Sequence, residues 1–144
     1  MIELSDPFDI EGVRLDQIAT MFHRRLSRAI GTRLRRGGYS LPALSVLAVL
    51  WERDGLAQKE IARQAGITTP TCSTAIAGLQ RAGLVSSIRS AEDRRRSEIW
   101  LTDKGRAART PINAAVEQVL DGACVDTSPD DLAKACEVIM RIVA

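Results

Sequence analysis

The most constraining feature of the chain is a short segment in which three arginines stand side by side. The segment covers residues 93–105 and reads D-R-R-R-S-E-I-W-L-T-D-K-G. Two β-like runs, Leu84–Arg89 and Glu98–Leu101, flank the charged residues, and Thr102 is placed to cap a following helix. Three adjacent guanidinium groups repel one another and desolvate poorly, so they are not buried together. The pattern predicts a β-hairpin whose exposed cationic tip, Ser90–Arg96, suits contact with a polyanion.

The segment immediately upstream has the spacing of a helix-turn-helix. A short helix is predicted over residues 58–65, with the small Ala62 where two helices must cross closely. Gly66 follows where the tight turn needs a positive φ, which glycine adopts at little cost. The second helix begins near Thr68 and ends at Ala82-Gly83. Its predicted inward stripe comprises Cys72, Ile76 and Leu79.

Two helices are predicted before this motif from apolar residues at three- and four-residue spacing. The first covers residues 11–36 and is stopped by Gly37-Gly38. The second is capped by Ser40, has Pro42 in its first turn and is broken at Asp54-Gly55. Its predicted buried stripe comprises Leu44, Leu47, Ala48 and Trp51.

Two more helices are predicted after the hairpin. One is capped by Thr102 and runs to about Gly122, with a kink or an axis offset at Pro111. The last helix starts at Ser128-Pro129, where an acidic first turn follows. Its apolar face comprises Leu132, Cys136, Ile139, Met140 and Val143.

Composition fits this mostly helical pattern and excludes several classes of protein. Hydrophobic residues make up 45% of the chain but aromatic ones only 3%, which suits helix packing better than a β-sandwich. No run approaches about 18 apolar residues, so no membrane contact is expected. Residues 1–12 lack the features of a secretory signal, which makes the cytoplasm the expected compartment. Widely spaced Cys72, Cys124 and Cys136, with one histidine, predict neither a metal site nor another cofactor.

The charge is unevenly distributed along the chain. The net charge is +2, yet residues 53–109 contain eleven basic and six acidic side chains, whereas residues 110–144 contain two and six. A basic middle with a neutral start and an acidic end indicates that the middle segment meets a polyanion and that the ends have another role.

Taken together, these segments resemble the MarR family of winged-helix transcriptional regulators. The resemblance rests on L-A-Q-K-E-I-A-R-Q-A-G-I at 56–67, L-Q-R-A-G-L-V at 79–85 and D-R-R-R-S-E-I-W-L-T-D-K-G-R at 93–106. It implies a single domain over residues 1–144, mainly α with a small β wing. Residues 40–102 would form the winged helix-turn-helix, and residues 11–36 and 103–144 would supply dimerisation helices.

The resemblance also implies a function. The family binds pseudo-palindromic double-stranded DNA operators as homodimers, and a small anionic or aromatic ligand, or oxidation, commonly releases it. A homodimeric repressor released by such a ligand is therefore the leading expectation. A thiol-based redox regulator of the same fold is the alternative, and a winged helix used for protein contacts is a third. The dimer is expected to depend on Phe22, Leu26, Leu132, Ile139 and Val143.

The expected DNA contacts fall on two segments. The second motif helix would enter the major groove and the wing would reach the neighbouring minor groove. The recognition-helix candidates are Thr68, Thr69, Pro70, Thr71, Ser73, Thr74 and Ala77. In the wing, the resemblance makes Arg95 the inserted residue. Arg94 and Arg96 would then bind phosphates or pair with Asp93, which orients the tip. Residues 68–80 carry no charge, unlike many relatives, so modest direct base readout is expected.

Candidates for effector, thiol and enzyme chemistry are weaker. The effector candidates are His23, Arg36, Tyr39 and Trp51. A helix dipole would lower the pKa of Cys72 in a redox sensor, although that residue also occupies an inward, core position. Residues 1–71 contain no cysteine, so the N-terminal thiol of peroxide-sensing relatives is missing. No nucleophile motif accompanies His23 and no phosphate-cradling glycine loop is present, so no enzymatic activity is predicted.

Overall fold

The structure, a computed structural model, describes residues 15–89 and 97–143. In chain order the elements are α1 (Leu15–Arg35), α2 (Leu41–Glu52), β1 (Leu56–Ala57), α3 (Gln58–Ala65), α4 (Thr69–Arg81), β2 (Val85–Arg89), β3 (Ser97–Leu101), α5 (Asp103–Ala107), α6 (Arg109–Ala123) and α7 (Pro129–Val143). The predicted fold class, mainly α with a small β wing, is confirmed.

Helix α2 lies at the centre of the fold, and this explains where its predicted stripe was wrong. Ser40 caps the helix, since its Oγ accepts a hydrogen bond of 3.2 Å from the amide of Ala43. Because α2 contacts α1, α3, α4 and β3, more than one of its faces is covered. Its buried residues are Ala43, Val46, Leu47 and Leu50. Ala48, which was expected inside, is exposed.

The helix-turn-helix forms as its spacing predicts. Gly66 ends α3 with φ 65°, and Ala62 is buried against the neighbouring helices. The predicted inward stripe of α4, comprising Cys72, Ile76 and Leu79, is buried to 3% exposure or less. Thr68 caps α4, because its Oγ1 accepts from the amide of Thr71. Local spacing was sufficient to place this motif, since each of its turns is set by a residue within it.

The small sheet has three antiparallel strands in the order β1-β3-β2. The register pairs Val85 with Leu101 and Arg89 with Ser97, so β2 and β3 form the predicted hairpin. Strand β1 pairs Leu56 with Ile99 on the other edge of β3. The inner face of the sheet carries Val85, Ile99 and Leu101, which complete the core. Residues 90–96, the hairpin tip, lie outside the described residues.

The helix predicted from Thr102 to Gly122 is divided into two. Thr102 caps α5 as expected, accepting from the amide of Gly105 at 3.0 Å. The break falls at Ala108, three residues before Pro111. Proline has no amide hydrogen, and its ring clashes with the carbonyl four residues earlier, which here belongs to Ala107. The interruption is therefore placed upstream of the proline.

Helix α6 packs along α1, whereas α7 is exposed along its described length. Every side chain of residues 129–142 is exposed in the single chain, including Ile139 at 52% and Met140 at 65%. In α1, Phe22 is 60% exposed. Within the described residues, no helix combines the length and the hydropathy that crossing a bilayer requires.

Candidate nucleic-acid interface

Helix α4 presents a polar, uncharged face to solvent. Thr69, Pro70, Ser73, Thr74 and Ala77 are exposed on this face. The opposite face is anchored in the core by Cys72, Ile76 and Leu79, which fixes the rotation of the helix about its axis. Five of the seven predicted recognition-helix residues therefore lie together on one accessible surface.

Two of the seven predicted residues have structural roles. Thr68 is the cap of α4, and its Oγ1 shares a hydrogen bond of 2.8 Å with the hydroxyl of Thr71. Thr71 was expected to be exposed but is half-buried, because the corner between α1 and α2 lies beside it.

The hydroxyl groups on the exposed face of α4 are not equally free. Thr74 donates its hydroxyl hydrogen to the carbonyl of Pro70 at 3.1 Å, so its oxygen remains as an acceptor. Within the described part of the chain, the hydroxyls of Thr69 and Ser73 have no hydrogen-bond partner. These two can both donate and accept, which is what the mixed donor and acceptor pattern of a major groove requires.

The two wing strands, β2 and β3, are described along their whole length, as far as the residues that flank the cationic tip in the sequence. β2 and β3 are paired through to Arg89 and Ser97, and the side-chain hydroxyls of Ser87 and Ser97 bond across them. The four predicted wing residues, Asp93, Arg94, Arg95 and Arg96, lie outside the described residues.

The segment 101–106, the rear part of the run that carries the family resemblance, is a structural joint. Thr102 donates its hydroxyl hydrogen to the carbonyl of Gly83 at 2.7 Å, and its amide donates to the carbonyl of Leu84 at 3.0 Å. The ammonium of Lys104 donates to the carbonyl of Ala82, the C-cap of α4, at 2.7 Å. A cation at this position also complements the negative end of the helix dipole. The rear half of the motif therefore holds the end of α4 against the base of the wing.

Asp54 was not singled out by the sequence, yet it links three segments. Its Oδ1 accepts from the amide of Leu101 at 2.8 Å and from its neighbour Gly55 at 3.0 Å. Its Oδ2 accepts from Arg106 at 2.7 Å. From the sequence, the Asp54-Gly55 pair is predicted only to end α2, because the partners of Asp54 in β3 and α5 lie about fifty residues later.

The cations of α3 are divided between a paired arginine and an exposed lysine. Arg63 and Gln64 both donate to Glu60, and the hydrogen bond from Arg63 is the main reason that the pKa of Glu60 falls to about 2. The positive charge of Arg63 is thereby offset at neutral pH. Lys59, one residue before Glu60, is exposed and adds to the positive potential beside the motif.

The motif, the hairpin and their order along the chain match a known family. A sequence model described as "MarR family" matches residues 37–96, the segment that contains α2, the helix-turn-helix and the start of the wing. Over this segment, the chain is similar to the MarR family.

A curated relative and several solved structures are also similar to this chain. The HTH-type transcriptional regulator TtmR of Methylorubrum extorquens is 35% identical over 82 residues, which are 57% of this chain and 42% of that protein. The match therefore spans less than half the length of this relative.

Among solved structures, apo MarR from E. coli aligns with a TM-score of 0.82 at 15% identity, covering 92% of this chain and 98% of that one. A MarR-family regulator from Silicibacter pomeroyi gives 0.75 at 23% identity, covering 94% and 90%. The transcriptional regulator PA3341 gives 0.76 at 28%, covering 90% and 96%.

A cleft of about 710 Å³ lies between the α1–α2 corner and one flank of α4. Its lining includes Arg35, Tyr39, Thr71, Thr74, Gly78 and Arg81. Both arginines are exposed, and their described hydrogen bonds are local, to Thr32 and to the carbonyl of Ala77. The cleft thus combines two cations, hydroxyl groups and an aromatic ring beside α4.

Of the four predicted effector residues, Tyr39 lines this cleft. Trp51 is half-buried, and its indole nitrogen donates to the carbonyl of Gly105 at 3.0 Å, which is a structural bond. His23 and Arg36 are exposed and lie 13 positions apart along the chain, which corresponds to about 20 Å of helix. The structure therefore does not bring these four candidates together within a single chain. Arg35, one residue earlier than the predicted Arg36, is the arginine at the cleft.

The thiol of Cys72 does not have the properties of a redox sensor. The residue is fully buried, its Sγ lies 3.7 Å from the carbonyl of Gln58, and burial raises the pKa of the thiol. This direction is opposite to the lowering that was expected from the helix dipole. A raised pKa keeps the thiol protonated, and burial denies an oxidant access to it. Cys124 is half-buried and Cys136 is exposed.

Proposed function

We propose that this chain is a sequence-specific, double-stranded DNA-binding transcriptional regulator. The observation that carries the proposal is the geometry of α4, which is anchored by its core face and presents free hydroxyl and methyl groups on an exposed one. A helix placed in this way suits the major groove, where hydroxyls meet base edges and methyl groups meet thymine methyls. The similarity of residues 37–96 to the MarR family and the name of TtmR, an HTH-type transcriptional regulator, support the same function.

The wing supplies the second part of the proposed contact. Three consecutive arginines belong to the segment that joins the paired ends of β2 and β3. Arginine inserted into a narrow minor groove gains from the enhanced negative potential there. We assign this role to Arg95, with Arg94 and Arg96 on phosphates or paired with Asp93. Since α4 carries few groups for base readout, much of the affinity comes from the wing and the phosphates.

We further propose that the functional form is a homodimer that represses transcription. Residues 11–36 and 103–144 would form the dimerisation helices, because α1 and α7 expose apolar side chains that a single chain leaves uncovered. Two-fold symmetry then calls for a pseudo-palindromic operator with half-sites about 10 bp apart, centre to centre. A dimer bound across a promoter occludes it without needing any further activity.

Replacement of Arg95 tests the proposed DNA contact. An operator duplex is first isolated by selecting bound fragments of the source genome, and its affinity is measured by fluorescence anisotropy. We expect Arg95→Ala to weaken binding by about 1–3 kcal/mol, the cost of losing one well-placed specific contact.

The matched control is Arg141→Ala on α7, which removes the same charge far along the chain from the wing. This variant should bind like the parent protein at equal salt. If Arg95→Ala also keeps the parent affinity, the wing has no part in recognition. If the parent protein selects no fragment even at low salt, the proposed function itself is wrong.

The proposed ligand response is assigned to the cleft beside α4. A small carboxylate there would face Arg35 and Arg81, and it would contact Thr71 and Thr74 on the helix that carries the proposed base contacts. We expect an aromatic carboxylate that binds the cleft to raise the melting temperature, because it binds only the folded chain. Arg81→Ala should abolish the rise, whereas Arg141→Ala should retain it. A rise that survives Arg81→Ala places the ligand elsewhere.

A further inference from the structure

Two structural units meet at the C-terminal end of α2. One unit is the pair α1 and α6, which pack along each other. The other is the winged unit formed by α2, α3, α4 and the sheet. The chain passes between them at the α1–α2 turn and again through β3, α5 and α6. The two units also share one hydrophobic core, to which α1 contributes Leu34 and α6 contributes Ile112. Beyond that shared packing, their relative orientation depends on how these two crossings are held.

The second crossing is fastened to α2 by a group of side chains that we name the clasp. The clasp comprises Trp51, Glu52 and Asp54 on one side and Leu101, Gly105, Arg106 and Arg109 on the other. The amide of Leu101 and the guanidinium of Arg106 both donate to Asp54, at 2.8 and 2.7 Å.

The remaining bonds of the clasp reach α5 and α6. Trp51 donates to the carbonyl of Gly105 at 3.0 Å. Arg109 donates to Glu52 at 2.7 Å and to the carbonyl of Trp51 at 3.3 Å. The end of α2 is thus bonded to β3, to α5 and to the first residue of α6.

The position of the clasp matters because the helix is interrupted within it. The break at Ala108 separates α5 from α6, so continuity of the helix does not fix the angle between them. Arg106 lies on one side of the break and Arg109 on the other, and both are bonded to the end of α2. These bonds hold both sides of the break against a common support.

The exposed ion pairs of the clasp have a geometric role more than an energetic one. The side chains of Arg106 and Arg109 are 55% and 48% exposed. Pairs this exposed contribute little to stability, since water screens them. Little energy is needed to restrict the angle between two packed units, because the alternative orientations of the units differ little in their packing.

We propose that the clasp is a positioning device that sets the angle between the winged unit and the α1–α6 pair, and thereby the half-site spacing that the dimer accepts. The proposal rests on the function proposed above. One base pair of extra spacing moves a half-site by about 3.4 Å and rotates it by about 35° around the duplex. With a rigid joint the dimer cannot adjust to the shifted half-site, so binding weakens. With a loosened joint the winged units can reorient towards the shifted half-site, and less affinity is lost.

The test measures spacing selectivity. The selected operator and versions with one or two base pairs added to or removed from its centre are titrated against each protein. For the parent protein we expect an affinity loss of about tenfold or more for a change of one base pair, comparable to the loss of a base contact. In Arg106→Ala and Asp54→Asn this loss should shrink by about fivefold, while the best duplex keeps its affinity within about threefold.

The two variants loosen the same bond in different ways. Arg106→Ala removes a cation, whereas Asp54→Asn removes the partner carboxylate and leaves every cation in place. The asparagine oxygen still accepts from the amide of Leu101, so the base of the wing stays satisfied. Arg106→Lys should restore the parent selectivity, because an ammonium group can still pair with Asp54.

Arg33→Ala is the matched control. Arg33 is also an arginine that bonds across two helices, donating to Gln118 of α6 at 3.1 Å, but this bond lies inside the α1–α6 pair. Its loss should leave the spacing profile unchanged. Arg109→Ala provides a second clasp variant should Arg106→Ala fail to fold, which melting curves reveal.

The outcomes separate this proposal from the function on which it rests. If the parent protein binds no duplex, both proposals fall. If the parent protein binds and the clasp variants keep its spacing profile, the positioning role alone is wrong. Should Arg106→Ala lower affinity equally at every spacing while Asp54→Asn changes nothing, Arg106 contacts a phosphate and the clasp has no positioning role.

Discussion

At the scale of single residues, one missing methyl group determines how closely α5 approaches the wing. A Cβ added to Gly105 would collide with the carbonyl oxygen of Leu84 and would lie 3.1 Å from a methyl of Leu101. Both neighbours are buried, and the first is backbone, so neither can move aside at little cost. Glycine is therefore required here by contact and not by an unusual φ.

The helical glycines Gly105 and Gly78 form a matched pair for testing this requirement. A Cβ on Gly78 meets open space. Gly105→Ala should destabilise the chain by about 1–3 kcal/mol, as overpacking does in a filled core. Gly78→Ala should stabilise it by about 0.5–1 kcal/mol, because alanine is the better helix former. Urea unfolding measures both, and equal gains in the two variants would contradict the close contact at Leu84.

At the scale of elements, the sequence predicts best what is encoded locally. The helix-turn-helix was placed because Gly66, the Thr68 cap and the stripe of α4 lie within two dozen residues. The wing hairpin was predicted because two strand-like patterns lie directly on either side of a charged tip in the sequence. Helix boundaries at Ser40 and Thr102 followed from capping side chains, which act within one turn.

Elements that depend on distant partners were missed or misread. β1 has two residues, and its strand character comes from pairing with β3 more than forty residues later. The face of α2 that holds Ala43 and Val46 was missed, because a central helix is covered on several sides and has no single stripe.

The candidate site shows the same division between local and distant information. The exposed face of α4 was predicted from its spacing, whereas the half-burial of Thr71 depends on the α1–α2 corner. Nothing adjacent in sequence relates Asp54 to Arg106, 52 residues apart. The role of residues 101–106 as a joint therefore emerged only from tertiary contacts.

At the scale of the whole molecule, charge and apolar surface are segregated along the chain. The net-basic segment 53–109 contains the helix-turn-helix and the wing. The net-acidic segment 110–144 contains α7 and all but the first residue of α6. An acidic end repels a duplex, which would keep α7 away from DNA and leave it for contact between protein chains. The apolar side chains of α7 agree with this division, because Leu132 and Ile139 are 43% and 52% exposed in the single chain.

Replacement of Ile139 tests whether α7 closes a dimer. In a dimer of the proposed kind the side chain becomes buried, so Ile139→Asp places a charge inside the interface and should convert the protein to monomers at micromolar concentration. Sedimentation equilibrium measures the association. A helix of 15 residues without packing partners is marginal in water, so far-UV circular dichroism should also lose helical signal in this variant.

Lys134→Asp is the control for this substitution. It introduces the same side chain on the same helix, but its position lies on the opposite side of α7 from Leu132 and Ile139. We expect it to remain dimeric, since its charge stays in water.

If both variants dimerise as the parent protein does, α7 is not the dimer contact. The exposed apolar residues of α1, which include Phe22, are then the surface to replace next. If the parent protein is itself monomeric, two-fold symmetry and the operator geometry inferred from it are both lost.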